Sequence, residues 1–232
     1  MSGLAAISAA LLQVPGIEQP DLTMGEWISQ TWEGGGFMMY PLALAFLVGV
    51  VIIVWKFFTL TSTSARTKSL LRDVDALLAD HRTDEALARA RESRTPAGRI
   101  LVAGLERKNE GTERVMKAIE NVGLIEMAGL ERGLVWLATL SNVAPLLGFL
   151  GTVIGMIQAF QAIELAGEVD ATLVAGGIKV ALITTAAGLA IAIPLNIFHN
   201  YFITKIDRLV LDTEESAQKM IDTLHELEAR TI

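Results

Sequence analysis

The chain has 232 residues and is 52% hydrophobic, with a mean hydropathy of +0.46, too apolar for an ordinary soluble domain of 25.0 kDa. Its net charge of −7 comes with no aromatic-interleaved basic patch, which excludes a nucleic-acid binder, and the lack of cysteine excludes disulfides, thiol nucleophiles and thiolate metal sites. His81, His199 and His225 lie far apart, and no HExxH, Walker loop or GxSxG occurs, so the sequence predicts a protein that is not an enzyme and binds no cofactor.

Residues 1–36 open with a short apolar piece, Leu4 to Leu12, too short to span a bilayer and without the basic flank of a signal peptide. Trp27 and Trp32, with Glu26 and Glu33, then read as a segment lying at a membrane surface, and Gly34-Gly35-Gly36 as a hinge. Phe37 to Trp55 carries no charge over 19 residues, enough to cross the hydrocarbon core. With Lys56 closing it, the first span is expected over residues 37–60.

Residues 61–132 change character. Apolar residues recur at helical spacing through Leu70, Leu71, Val74, Leu77 and Leu78, then Ala86, Leu87 and Ala90. A break at Arg94 to Gly98 follows, since Pro96 disfavours helix in the residue before it, and a pause comes near Asn109-Glu110-Gly111. The expectation is a helical domain with a solvated charged face. Residues 133–163 carry no charge over 31 residues, about 46 Å of helix, so a second span continuous with a stalk from that domain is predicted. Glu164, Glu168 and Asp170 mark a short acidic loop, 164–170. Residues 171–204 form a third apolar helix, and 205–232 a charged amphipathic tail helix. Lys and Arg are absent from residues 1–55 and 133–178, so the positive-inside rule places the N-terminus and the acidic loop outside, with the domain and tail in the cytoplasm.

The stretch Ala144 to Phe160 is the most informative. Gly148, Thr152, Gly155 and Ala159 fall within about 60° on one helical face, small side chains plus one hydroxyl. On the third helix Ile178, Ala181, Thr185, Gly188, Leu189, Ala192, Asn196 and His199 share a face. Thr152 and Thr185 come out at matching depths below the acidic loop, about 18–23 Å. Two readings stay open for them: a polar path within an oligomer, or hydroxyls that merely bond back to their own helix. Lys179 reads as snorkelling to the outer interface or pairing with Glu164, Glu168 or Asp170, against a role in an ion path. Asn196 and His199 stand near the cytoplasmic end of the same face as Thr185.

The segments LERGLVWLATLSNVAPLLGFLGTVIGMIQAFQAI and LVAGGIKVALITTAAGLAIAIPLNIFHNYF resemble the MotA/TolQ/ExbB proton-channel family, nearest its ExbB/TolQ branch. The resemblance implies an all-α integral membrane protein of the bacterial inner membrane, forming a homopentamer around a central pore. An ExbD/TolR-like single-span dimer would occupy that pore and supply the titrating carboxylate, with a TonB/TolA-like periplasm-spanning protein and membrane lipid as further partners. The ion gradient would then drive work on the outer membrane or periplasm. Thr152 and Thr185 match the family's pore threonines, and Pro145, Gly148, Gly151, Gly155, Gly188 and Pro194 its packing positions. Two departures stand out. Val180, beside Lys179, replaces a typical glutamate, and the doublet Thr184-Thr185 resembles sodium-driven stators. Proton is the expected ion, with sodium as the alternative, held by Thr152, Thr184 and Thr185. A stator of a gliding or flagellar motor and a non-conducting membrane scaffold are the competing functions.

Overall fold

The computed structural model describes residues 24–167 and 170–231, and these are helical throughout apart from short connections. The readings placed on Leu4 to Leu12, on Glu168 and on the side chains of Glu26 and Trp27 lie outside the described residues. Helix α1 (Met24–Gly34) leads through a 3-10 turn (Gly36–Met38) into α2 (Met39–Ala79). Then follow α3 (Thr83–Glu92), α4 (Pro96–Leu105), α5 (Thr112–Glu131), α6 (Leu134–Ala166) and α7 (Ala171–Thr231). Three of these, α2, α6 and α7, are long and apolar enough to cross a membrane.

Several boundaries differ from the sequence reading, and each difference has a local cause. Between Leu60 and Ala79 the chain holds no Gly or Pro, and charged residues such as Arg66 and Lys68 are good helix formers. The first span therefore continues as one 41-residue helix, stopped only where His81 enters the left-handed region at φ 58°. Likewise nothing after Thr204 breaks α7, so the third span and the tail are a single 61-residue helix. The predicted break at Arg94 to Gly98 is narrower. Thr95 caps α4, its hydroxyl accepting from the Gly98 amide at 3.1 Å, and Pro96 takes the first helical position, where it loses no hydrogen bond. The second span is not one helix with the end of that domain. Arg132 turns extended and Gly133 stands at φ 94°, a conformation that suits glycine, so α5 and α6 meet at an elbow rather than as one helix.

Two regions of packing result. In one, the far half of α2 joins α3, α4, α5 and the C-terminal half of α7 around Leu70, Val74, Leu78, Leu101, Leu105 and Met220. In the other, α2, α6 and α7 run side by side, with Leu60, Leu134, Leu137, Phe202, Ile206 and Leu209 closing the end nearest the first region. Arg99 on α4 and Glu126 on α5 form a bidentate pair that fixes those two helices together.

The elbow has an unexpected clamp. Lys56 on α2 is only 4% exposed. Its Nζ donates to the Leu130 carbonyl at 2.7 Å and lies 5.4 Å from the Trp55 ring centre. Leu130 is in the last turn of α5, where carbonyls lack helical donors and a cation is favoured by the helix dipole. Lys56 therefore works as a cap delivered from another helix, in addition to ending the apolar run.

Candidate functional site

Small residues let α6 and α7 pack backbone to backbone. A methyl added to Gly155 would stand 2.9 Å from the Gly177 carbonyl oxygen, one at Gly148 2.8 Å from that of Thr184, and one at Gly188 2.6 Å from that of Ala144. Ala159 sits against Gly177, and Ala181 against Gly155, so the two helices pair in antiparallel register over more than four turns. In a bilayer, where burial of apolar surface gives no net drive, such close contact is what holds helices together. Gly148, Gly151, Gly155 and Ala159 are all buried in it, and Thr152 stands at its edge, partly exposed. The face anticipated for α7 is rotated. The contact runs through Gly177, Ala181, Thr184, Gly188, Ala192 and Leu195, whereas Ile178, Leu189 and Asn196 are exposed.

That rotation separates the two adjacent threonines. Thr184 is fully buried, and its Oγ1 donates to the carbonyls of Val180 and Ala181, both at 3.0 Å. Its side chain presses on Gly151, where a methyl would meet it at 2.4 Å. Thr185 is partly exposed, with Oγ1 3.2 Å from the Ala181 carbonyl oxygen and 3.4 Å from that of Gly148 on the facing helix. Thr152 Oγ1 donates to the Phe149 carbonyl at 2.6 Å. All three hydroxyls thus bond back to their own helix, and Thr185 alone also reaches across.

Thr152 and Thr185 each stand 14 residues from the end of their helix at the connecting loop, about 21 Å along the axis. Sidedness follows from the register. Met39 and Leu42 of α2 pack over Leu147, Ile183, Ala187 and Ile191, which occupy one flank of the α6–α7 pair. At about 100° per residue, Thr152, Thr185 and Asn196 turn to the opposite flank, the one α2 leaves open. Further along that flank the Asn200 amide donates to Asn196 Oδ1 at 3.0 Å, and His199 Nδ1 lies 3.4 Å from Asn200 Oδ1. The sequence reading missed Asn200 as a member. Its position four residues after Asn196 was the available signal.

Lys179 goes elsewhere. Its side chain is exposed, and its Cε comes within 3.5 Å of a methyl placed on Gly34, at the end of α1. It makes no ion pair with Glu164 or Asp170 among the described residues. Gly35 packs on Ile183, so the first span begins level with that part of α7, and the α6–α7 hairpin extends about 18 Å further. Pro145 and Pro194 lie inside helices, leaving the carbonyls of Ser141 and Ala190 without an amide donor from four residues on. Among the described residues no group of three or more His, Asp or Glu is placed to hold a metal ion.

Comparison with known proteins points one way. Residues 92–215 match the family described as the MotA/TolQ/ExbB proton channel family. The chain is 32% identical over 194 residues to a biopolymer transport protein ExbB homolog of Methanothermobacter thermautotrophicus, covering 83% of this chain and 68% of that protein. It is 30% identical over 166 residues to the biopolymer transport protein ExbB of Neisseria gonorrhoeae, covering 66% and 73%. To the Tol-Pal system protein TolQ of Haemophilus influenzae it is 34% identical over 116 residues, half of each chain.

Proposed function

Since the chain belongs to the MotA/TolQ/ExbB proton channel family, in its ExbB/TolQ branch, we propose that it is the inner-membrane subunit of a proton-driven motor. In this reading five copies surround a pore that holds an ExbD/TolR-like single-span dimer, and ion flow through the assembly drives work on the outer membrane or periplasm. The N-terminus and the 164–170 loop face the periplasm, and the helical domain and the end of α7 face the cytoplasm. A TonB/TolA-like protein would carry the motion onward.

One observation carries the reading: two hydroxyls at equal depth on antiparallel helices, Thr152 and Thr185, turned to the flank that α2 leaves open. Repeated around an axis, that flank becomes a ring of hydroxyls continued by Asn196, Asn200 and His199. Such a ring relays or solvates an ion but cannot release and rebind a proton at neutral pH, so a carboxylate has to come from the partner. The proton is favoured over sodium because Thr184, the extra hydroxyl of a sodium site, is committed to two carbonyls inside the helix contact.

Reconstituting the complex with its partner in liposomes tests this. Under an imposed pH gradient, Thr152→Ala and Thr185→Ala are expected to lower proton flux at least tenfold, with the particle still assembled by native mass spectrometry. Unchanged flux in both, with normal assembly, would leave the scaffold reading in its place. Flux under a sodium gradient without a pH gradient would replace the proton with sodium.

A further inference from the structure

Away from the hydroxyl flank, three cations without an ion pair among the described residues share one cavity. Between α2 and α7 lies a cavity of about 250 Å³ lined by Ser64, Lys68, Tyr201, Thr204, Lys205 and Arg208, with Leu209 and a single carboxylate, Asp212. Three cations against one carboxylate is unusual in a chain whose net charge is −7. None of the four forms an ion pair among the described residues. Lys68 and Arg208 are exposed. Lys205 is half-buried, donating to Thr61 Oγ1 at 2.9 Å, with the rings of Tyr201 and Phe57 5.6 and 5.8 Å from its Nζ.

The height of this cavity decides what fills it. Tyr201 lines it and Phe57 lies beside Lys205, both large exposed aromatic side chains as at a membrane–water boundary, and Trp55 and Phe58, also exposed, stand at the same level of α2. On one side of them the helices are free of charge for many residues. On the other side Arg66, Lys68 and Arg208 begin the polar part of the chain. A basic pocket between spanning helices at that level fits the phosphate of a lipid headgroup, whose acyl chains then lie along the exposed apolar surface of α2 and α7. The hydroxyls of Ser64 and Tyr201 supply donors for the remaining phosphate or glycerol oxygens, whereas that of Thr204 donates to the Asn200 carbonyl at 3.0 Å.

We propose that the Lys68–Lys205–Arg208 cavity binds the headgroup phosphate of an anionic phospholipid from the leaflet beside the helical domain. Lys205 is held in place by Thr61 and the two rings, and Lys68 and Arg208 are the mobile arms that close on the ligand. The site depends on the chain spanning the membrane and not on ion conduction.

Native mass spectrometry of the full-length assembled protein, titrated with dioleoyl phosphatidylglycerol or dioleoyl phosphatidylcholine, tests it. The anionic lipid is expected to bind more tightly. Lys68→Gln or Arg208→Gln should each weaken that binding about fivefold, and the double variant about 25-fold, with phosphatidylcholine unaffected. Arg208→Lys keeps the charge and should retain binding, which separates loss of the site from loss of the fold. Equal binding of the two lipids, or a double variant that binds phosphatidylglycerol like the parent, overturns the site. Displacement of the lipid by millimolar inorganic phosphate overturns the lipid assignment in favour of a soluble anion.

Discussion

Two glycines on the same helix should respond in opposite directions to one added methyl. At Gly188 a Cβ would lie 2.6 Å from the Ala144 carbonyl oxygen and 3.1 Å from the Gly148 Cα, both backbone atoms that cannot swing aside. Restoring ordinary contact requires α6 and α7 to part by about 0.8 Å, which forfeits a quarter or more of the dispersion energy of the pairs around it. Overpacking of this kind costs about 1–3 kcal/mol. At Gly176 nothing lies within 4 Å of the added atom, so Gly176→Ala keeps only the gain in helix propensity, about 1 kcal/mol. The propensity gain is common to both, so the two variants should differ by about 1–3 kcal/mol, Gly188→Ala being the weaker. Unfolding of the purified protein by SDS in mixed micelles, followed by circular dichroism, measures the difference. Midpoints that agree within experimental error would refute the claim that the α6–α7 contact is limited by backbone approach.

Replacing Lys56 by Met should leave the α5 carbonyls uncapped and speed amide exchange across residues 130–134 about tenfold, while exchange near Leu101 stays put. Gly133→Ala forces a Cβ into φ 94° and should destabilise the protein by about 1–2 kcal/mol in the same SDS titration. Thr184→Val keeps the shape that fills the space against Gly151, and the carbonyls it leaves keep their helical donors. It should change stability by less than about 1 kcal/mol and leave liposome flux intact, unlike Thr185→Ala. Arg99→Ala breaks the pair with Glu126 and should cost about 1 kcal/mol in the thermal unfolding of the helical region, less at high salt.

The spans were legible because absence of charge over 19 or more residues has one main cause, the need to sit in hydrocarbon. Their ends were not. A charge such as Lys56 or Lys205 marks where lipid stops, whereas a helix stops where backbone donors or acceptors are intercepted, and nothing between Leu60 and Ala79 or after Thr204 intercepts them. Gly133 was visible as a residue but not as a turn, because the side chains that meet it there, Trp55 and Lys56, come from α2, far off in the sequence. The candidate site was half visible. Small-residue spacing identified the α6–α7 contact, yet a helical wheel alone does not say which of Thr184 and Thr185 enters it. The facing glycine, Gly151, decides that by leaving room for one side chain. Lys179 drew attention as a charge within an apolar run, and only the packing of Gly34 and Gly35 shows that α7 has already left the level of the first span there.

Helix α7 is wedged against α2 where Leu195 fills the space beside Gly49, and it continues as one helix in both directions through Pro194. From that point one arm reaches about 36 Å to the hairpin and the other about 54 Å into the helical domain. A rod seated on such a fulcrum is a lever with unequal arms. A tilt of about 5° shifts the hairpin end by about 3 Å and the far end by about 5 Å in the opposite sense. Where α7 packs against α4 and α5, at Ala217 to Leu224, the arm is about 33–44 Å, so a displacement imposed at the hairpin is returned there reversed and of similar size.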